Sequence, residues 1–528
     1  MMNPIVLIIV FLSAAYSQFD TNMAVDRQTM VHMFCWTWSD IAQECETYLG
    51  PNGFGGVQVS PPNDHAIISD PFRPWWERYQ VVGYNLTSRS GDDDAFRDMV
   101  HRCNNANVRI YVDAVVNHMA FFGGESVGGI PYDPGNLYYP TVPYTEEDFS
   151  AYYGLCNTTD YNIENTSSVN QLRDCNLLAL KDLAQHEERV RGKISEYLNY
   201  MIDTGVAGFR FDAAKHMWPE DLGNIYGRLH DLSTDYFDAG SRAFIVHEVI
   251  DKGGDPVRAT EYTDLGRVTE FNYGPFVAEA VRREIPFSDL ETLGASGPWT
   301  LLPSGKALAF LDNHDNQRGG DKEDQVTYKD ARDYRMANAF MLAWPYGAVR
   351  LMSSYQFATS DDGPPTDLSG RILTPVTDDS EQCVNGWICE HRWPVIKKMV
   401  TFRNVVGDSP VTNWWDNGNN QIAFGRGEKG FLAINNEADE DLDTTLMTGL
   451  PEGDYCDVIM GEIDDEGKCT GPTIAVDEYG YAEFIIRYDD DNPMVAIHTD
   501  ATVTGGVATG VVSCTVVCLS IFASLVVH

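Results

Sequence analysis

Positive charge is scarce in this chain: 37 Lys and Arg stand against 78 Asp and Glu, a formal charge of −41 over 528 residues. Such a surface repels phosphate backbones and no basic stripe interrupts it, so a nucleic-acid partner is excluded. The 11 cysteines contain no CxxC repeat, which removes a thiolate zinc site. Long apolar runs are confined to the two ends, and neither has the basic flank a stop-transfer helix carries. Disorder is excluded as well, because 43% of residues are hydrophobic and 12% aromatic, enough for a large packed core.

The two ends read as address labels. Ile5–Ala14 is apolar and small residues follow at Ala15 and Ser17, so residues 1–17 are expected to be a signal peptide; a buried strand is the alternative. From Ala501 to Val527 no residue is charged, and Val511–Val527 is an apolar tail. Small residues near Asp500–Thr502, a short polar spacer and that tail fit a GPI-attachment signal, with a plain membrane span or a soluble strand as alternatives. An extracellular protein attached to the outer cell surface is therefore expected. Cysteine usage agrees, since Cys156/Cys175, Cys383/Cys389 and Cys456/Cys469 lie close enough in sequence for short-loop disulfides in an oxidising compartment. Sequons at Asn85, Asn157 and Asn165 are candidate glycan acceptors.

Four apolar, β-rich runs in the middle of the chain end in polar or acidic residues: Val108–His118, Gly208–His216, Phe244–Ile250 and Ala307–Asp315. Near-continuous apolar runs characterise strands buried on both faces of a parallel sheet. Amphipathic stretches such as Glu187–Asp203 and Ala331–Ala343 supply helices between them. The spacing from Asp212 to Glu248 is 36 residues, about one β/α unit, and from Glu248 to Asp315 it is 67, about two. A closed (β/α)8 barrel accounts for this best, because its active site collects residues from the C-terminal ends of several strands. Asp113, Asp212, Glu248 and Asp315 all fall there, with His118, His216 and His314 near them. One carboxylate at a strand end is more often a cap than a catalyst; three in separated strands point to a site. Paired carboxylates beside aromatics, here Trp75, Trp76 and Tyr79, suggest glycoside chemistry.

These residues lie in motifs that resemble the animal, chloride-dependent branch of the α-amylase family (glycoside hydrolase family 13). The motifs are GFGGVQVSPP (Gly53–Pro62), RPWWERYQ (Arg73–Gln80), VDAVVNH (Val112–His118), GFRFDAAKHMWP (Gly208–Pro219), HEVI (His247–Ile250) and FLDNHDNQRG (Phe310–Gly319). MSSY (Met352–Tyr355), CEHRW (Cys389–Trp393) and AFGRG (Ala423–Gly427) extend the likeness over about Gln18–Val503. It implies a barrel over residues 18–116 and 184–410, an inserted domain over 117–183 after the third strand, an antiparallel C-terminal β-sandwich over 411–500, and the anchor signal over 501–528. The implied activity is retaining endo-hydrolysis of α-1,4-glucosidic bonds in starch, glycogen and malto-oligosaccharides by a monomer.

By the same resemblance Asp212 takes the nucleophile's position, Glu248 the acid/base position and Asp315 that of the third carboxylate. Trp75, Trp76, Tyr79, Gln80, His118, Lys215, His216 and His314 would contact substrate. Asn117, Asp182 and the carbonyls of Arg173 and His216 match calcium ligands, an oxygen set suited to a structural hard cation. Arg210, Asn313 and Arg350 match a chloride site, where a buried anion keeps the Glu248 acid armed nearer neutral pH. The implied disulfides are Cys45–Cys103, Cys156–Cys175, Cys383–Cys389 and Cys456–Cys469, leaving Cys35 as a buried free thiol in the first strand. The chain departs from vertebrate relatives at Thr166, where they carry a substrate-contacting Tyr, and at Gly320–Val326, where they carry a glycine-rich loop. An exo-acting maltase and a non-catalytic receptor are the alternative readings.

Overall fold

The computed structural model describes residues 17–319 and 324–503. Eight parallel strands close into a barrel. They are β1 (Thr29–Met33), β2 (Gly56–Val59), β3 (Arg109–Ala114), β4 (Gly208–Phe211), β5 (Phe244–His247), β6 (Arg267–Thr269), β7 (Ala307–Ala309) and β8 (Ala348–Ser353). Sequential neighbours pair, and β8 closes on β1 through the register Met30↔Arg350 and His32↔Met352. Nearly every strand residue is buried, as expected of strands with helices outside and packed side chains inside. The strands are shorter than the apolar runs that signalled them: β4 and β5 end one residue before Asp212 and Glu248, whereas β7 ends six before Asp315. Gly208 is required where β4 meets β5, because a Cβ there would sit 2.3 Å from the Phe244 carbonyl oxygen.

Helices α1 (Trp38–Glu44), α2 (Asp93–Asn105), α4 (Glu188–Thr204), α5 (Pro219–Tyr226), α6 (Tyr273–Val281), α7 (Ala331–Ala343) and α8 (Pro394–Val406) wrap the barrel, and α3 (Val169–Asp174) belongs to the excursion after β3. The Asp92 carboxylate caps α2 by accepting from Ala95 N at 3.0 Å, while Phe96, Met99, Val100 and Cys103 face the core. In α4 the inward stripe is Val190, Ile194, Leu198 and Met201, and the helix stops at Gly205 with φ 107°. The excursion leaves the barrel after β3. It returns where His118–Met119 pairs antiparallel with Lys181–Asp182.

Beyond α8 the chain is all β. Strands β9 (Val411–Asp416), β10 (Gln421–Arg426), β11 (Gly430–Asn435) and β16 (Met494–His498) form an antiparallel sheet. Its Phe431 and Ile497 pack against Leu442, Leu446, Phe484 and Ile486 of the pair β12 (Leu442–Met447) and β15 (Tyr481–Ile486). A second pair, β13 (Gly453–Cys456) and β14 (Thr473–Val476), completes this part. Its junction with the barrel is buried: Arg403 of α8 donates to the carbonyls of Leu342 (3.2 Å) and Trp344 (3.1 Å), and Arg426 donates to that of Ala343.

Four disulfides join Cys45–Cys103, Cys156–Cys175, Cys383–Cys389 and Cys456–Cys469. Cys35 is free and buried, but it lies two residues past β1 rather than within it. Its φ of 66° turns the chain out of the strand, and its N–H goes to Ser60 Oγ at 2.9 Å instead of to a neighbouring strand. Asn85, Asn157 and Asn165 are exposed. The expected signal peptide, but for Ser17, and the tail beyond Val503 lie outside the described residues, as does most of the loop 320–326. Among the described residues no helix is long and apolar enough to cross a membrane.

Candidate active site

Arg210, the third residue of β4, organises the C-terminal mouth of the barrel. Its guanidinium lies 2.6 Å from Asp113 Oδ1 and 2.7 Å from Asp212 Oδ1, and it is paired with Glu248 Oε1. One buried cation therefore stands among three carboxylates carried by β3 and by the residues that follow β4 and β5. Glu248 also accepts the Ala213 N–H at 2.8 Å through Oε2. Burial raises the Asp212 pKa well above the usual carboxylate range, with the Arg210 charge as the largest opposing influence and the Glu248 and Asp113 charges adding to the rise. Asp315, whose side chain is 44% exposed at the cleft mouth, is raised above the usual carboxylate range by partial desolvation and then by the Glu248 charge.

The expected substrate contacts converge with these acids. A cleft of about 570 Å³ is lined by Trp75, Trp76, Tyr79, Gln80, His118, Lys215, His216 and His314 together with Asp212, Glu248 and Asp315. The 3₁₀ turn Trp75–Tyr79 presents both tryptophans at the rim, where Trp75 Nε1 donates to the Ser360 carbonyl (2.8 Å) and Trp76 Nε1 to Asp361 Oδ1 (3.0 Å). Tyr79 is a connector more than a platform. Its hydroxyl donates to Asp113 Oδ2 at 2.8 Å and lies 2.9 Å from His314 Nε2, and its ring stacks on that imidazole. Burial holds His118 down to about 4 and His314 well below its usual range, so both are neutral hydrogen-bonding groups at neutral pH. His118 Nε2 sits 3.0 Å from the Tyr79 carbonyl, and Lys215 Nζ donates to the Ile250 carbonyl (2.7 Å) and Asp255 (2.8 Å).

Sequence reasoning missed the apolar wall of the cleft, formed by Leu177, Leu178, Leu180 and Ile250. Leu178 is 86% exposed and takes a left-handed φ of 49° in a short turn. No periodicity marks such a residue, because it belongs to neither a strand nor a long helix.

The residues expected to hold ions are also placed. Among the described residues, Asn117 Oδ1 and both Asp182 carboxylate oxygens are buried with no well-formed protein hydrogen bond, the Ser150 side chain lying near Asp182. His216 Nδ1 lies 2.7 Å from the Leu172 carbonyl, which brings the Leu172–Arg173 backbone against His216. An orphaned carboxylate and amide oxygen inside a protein fit a hard cation. Among the described residues no group of three His, Cys, Asp or Glu side chains could hold a metal, as expected where amide and carbonyl oxygens supply most ligands. Arg350 of β8 is buried, donates to Gln58 Oε1 at 2.8 Å and sits over the Phe310 ring. Burial and then the Arg210 charge push its pKa down to about 10, a strain that an anion between the two guanidiniums would relieve. Asn313 accepts the N–H groups of Asp315 (3.0 Å) and Asn316 (2.8 Å) through its side-chain oxygen.

A closed parallel barrel whose mouth joins three carboxylates to an aromatic cleft defines a glycoside hydrolase. The family profiles described as "Alpha amylase, catalytic domain" and "Alpha amylase, C-terminal all-beta domain" match residues 57–349 and 412–500. The chain is 48% identical over 515 residues to an α-amylase of Oryzias latipes, covering 95% of this chain and 100% of that one. It is 49% identical over 503 residues to the human pancreatic α-amylase, covering 92% and 97%. The crystal structure of α-amylase I from Eisenia fetida superposes with a TM-score of 0.85 at 45% identity, covering 90% of this chain and 98% of that one. The chain belongs to the animal-type α-amylases of glycoside hydrolase family 13, and α-amylase activity follows from that membership.

Proposed function

We propose that this enzyme cleaves internal α-1,4-glucosidic bonds of starch, glycogen and malto-oligosaccharides with retention of configuration. The observation that carries the reading is the placing of Asp212 and Glu248 on the two arms of one guanidinium, both open to a cleft walled by Trp75 and Trp76. Asp212 Oδ attacks the anomeric carbon and forms a glucosyl ester as the C1–oxygen bond breaks. Glu248 protonates the departing oxygen, then takes a proton from the water that hydrolyses the ester. Asp315, beside His314 at 3.4 Å, engages sugar hydroxyls as the ring flattens. Neutral His118 and His314 line the cleft as uncharged hydrogen-bonding groups, each with a single ring N–H. A variant of the E. fetida enzyme carrying glutamine for glutamate has been crystallised with maltohexaose, which supports an α-glucan as the ligand.

Asn117, Asp182 and the carbonyls of Arg173 and His216 would hold a calcium ion that ties the excursion to the barrel, supported by the orphaned side-chain oxygens of Asn117 and Asp182. Arg210, Asn313 and Arg350 would hold a chloride ion that offsets the guanidinium charge beside the acids. Four disulfides support an oxidising, extracellular location, and we place the enzyme on the outer cell surface through a GPI anchor. Release from intact cells by phosphatidylinositol-specific phospholipase C tests the anchor; retention would favour a spanning helix. The function itself is tested by the product profile on soluble starch with and without chloride. A ladder of maltose, maltotriose and longer pieces, increased by chloride, is expected. Glucose alone would indicate an exo-acting maltase, and no product from folded protein a non-catalytic role.

A further inference from the structure

Beneath the Trp75–Tyr79 turn, away from the cleft, lies a cluster of cations that the reaction does not use. Arg78 is wholly buried, and among the described residues its Nε, Nη1 and Nη2 all lack a protein acceptor. Arg89, whose side chain is 3% exposed, likewise has a buried Nε without one. The carboxylate at hand, Glu77, is already engaged: it pairs with Arg73 at 2.9 Å and Arg89 at 3.0 Å and accepts the Ile68 N–H at 3.3 Å. Three guanidiniums thus face one carboxylate in a nearly dry region. The other polar groups there are the buried thiol of Cys35, the hydroxyl of Tyr355, which donates to the Asp362 carbonyl, and His65, whose Nδ1 lies against the Ala66 carbonyl; a further guanidinium, Arg318, lies 5.0 Å over the Tyr355 ring. Tyr355 lies within electrostatic range of both Arg78 and Cys35, and Arg89 within range of Arg78, Arg73 and Cys35, so these groups share one neighbourhood.

Each buried N–H left unpaired costs about 1–3 kcal/mol, and more on a charged group. Water could satisfy the donors but would not balance the charge, and an uncompensated buried cation is the costlier defect. We propose that the space between Arg78, Arg89 and Cys35 is a second binding site for a small monovalent anion, distinct from the Arg210–Arg350 pair. It would be structural: the anion would hold the Trp75–Trp76 turn and the Cys35 turn to each other, and no reacting group touches it.

Crystals of the enzyme grown in sodium bromide, measured at the bromine absorption edge, decide the matter. The expected result is an anomalous peak at hydrogen-bond distance from the Arg78 guanidinium, in addition to any peak at Arg350. Density at Arg78 without anomalous signal means water, and overturns the proposal. Thiolate absorbance from Cys35 at neutral pH with no bromide peak also overturns it, since the thiolate would then be the counter-charge. In Cys35→Asp, whose carboxylate supplies the missing charge, the peak at Arg78 should vanish while that at Arg350 stays. A persistent Arg78 peak in that variant would contradict the assigned position.

Discussion

Removing calcium offers the sharpest test of the ion sites, because the structure sets the sign of two opposite effects. Asp182 is buried, and among the described residues neither its carboxylate oxygens nor the neighbouring Asn117 Oδ1 makes a well-formed hydrogen bond; burial pushes its pKa well above the usual range, opposed by the nearby Ser150 side chain. Without the cation the protein must keep these three oxygens dry. An uncompensated buried charge of this kind costs about 3–5 kcal/mol. Chelation should therefore destabilise the wild type by roughly that amount and speed thermal inactivation by about two to four orders of magnitude. The Asp182→Asn variant inverts the picture. With a neutral amide, less is lost in the absence of calcium, so in excess EGTA the variant should melt above the wild type. In millimolar calcium it should melt below the wild type, having lost a charged ligand. Scanning calorimetry of both proteins in both buffers gives the four melting temperatures, and limited proteolysis should place the new cleavages within residues 117–183. Identical melting of the wild type in calcium and EGTA, or a variant less stable than wild type in both, would refute the reasoning.

Other outcomes follow from the same geometry. Arg350→Gln should abolish chloride activation and move the alkaline limb of the pH–rate profile, set by loss of the Glu248 proton, to lower pH, and an unchanged chloride response would defeat the anion assignment. Trp76→Ala removes a rim platform held by Asp361 and should raise KM for maltoheptaose about tenfold, near 1.4 kcal/mol, with kcat changed less. Glu390 is fully buried near Asp312, and burial raises its pKa to about 8. The unfolded chain ionises near 4.5, so the folded state loses stability by about 1.4 kcal/mol per pH unit between 4.5 and 8 on this account. Glu390→Gln should flatten that part of the stability curve, as read from urea midpoints at pH 5 and pH 7.5.

Parts of this architecture could be read before any coordinates. The runs around β3, β4, β5 and β7 announced themselves because strands buried on both faces need apolar residues at every position. By contrast β6, three residues long, and β2, four, give too little pattern to separate them from loop. The apolar run also misplaces Asp315, which stands beyond the end of β7 in the loop that carries Asn313 and His314. Motif resemblance, more than periodicity, located the aromatic rim and the candidate ion ligands. What neither supplied was connectivity. Arg210 as the shared partner of Asp113, Asp212 and Glu248, Tyr79 as the link from Asp113 to His314, and Leu178 on the cleft wall all arise from contacts between segments tens to hundreds of residues apart. Cys35 shows the same limit, since its left-handed φ and its hydrogen bond to Ser60 reveal that the first strand has already ended.

The central claim, retention through Asp212, is tested most directly by following hydrolysis of maltohexaose by proton NMR before mutarotation sets in. The account predicts that the first new reducing ends are α-anomers, and that Asp212→Asn, folded to the same melting temperature, loses activity by about 10⁴-fold or more. Initial release of β-anomers, or near wild-type turnover in that variant, would contradict it.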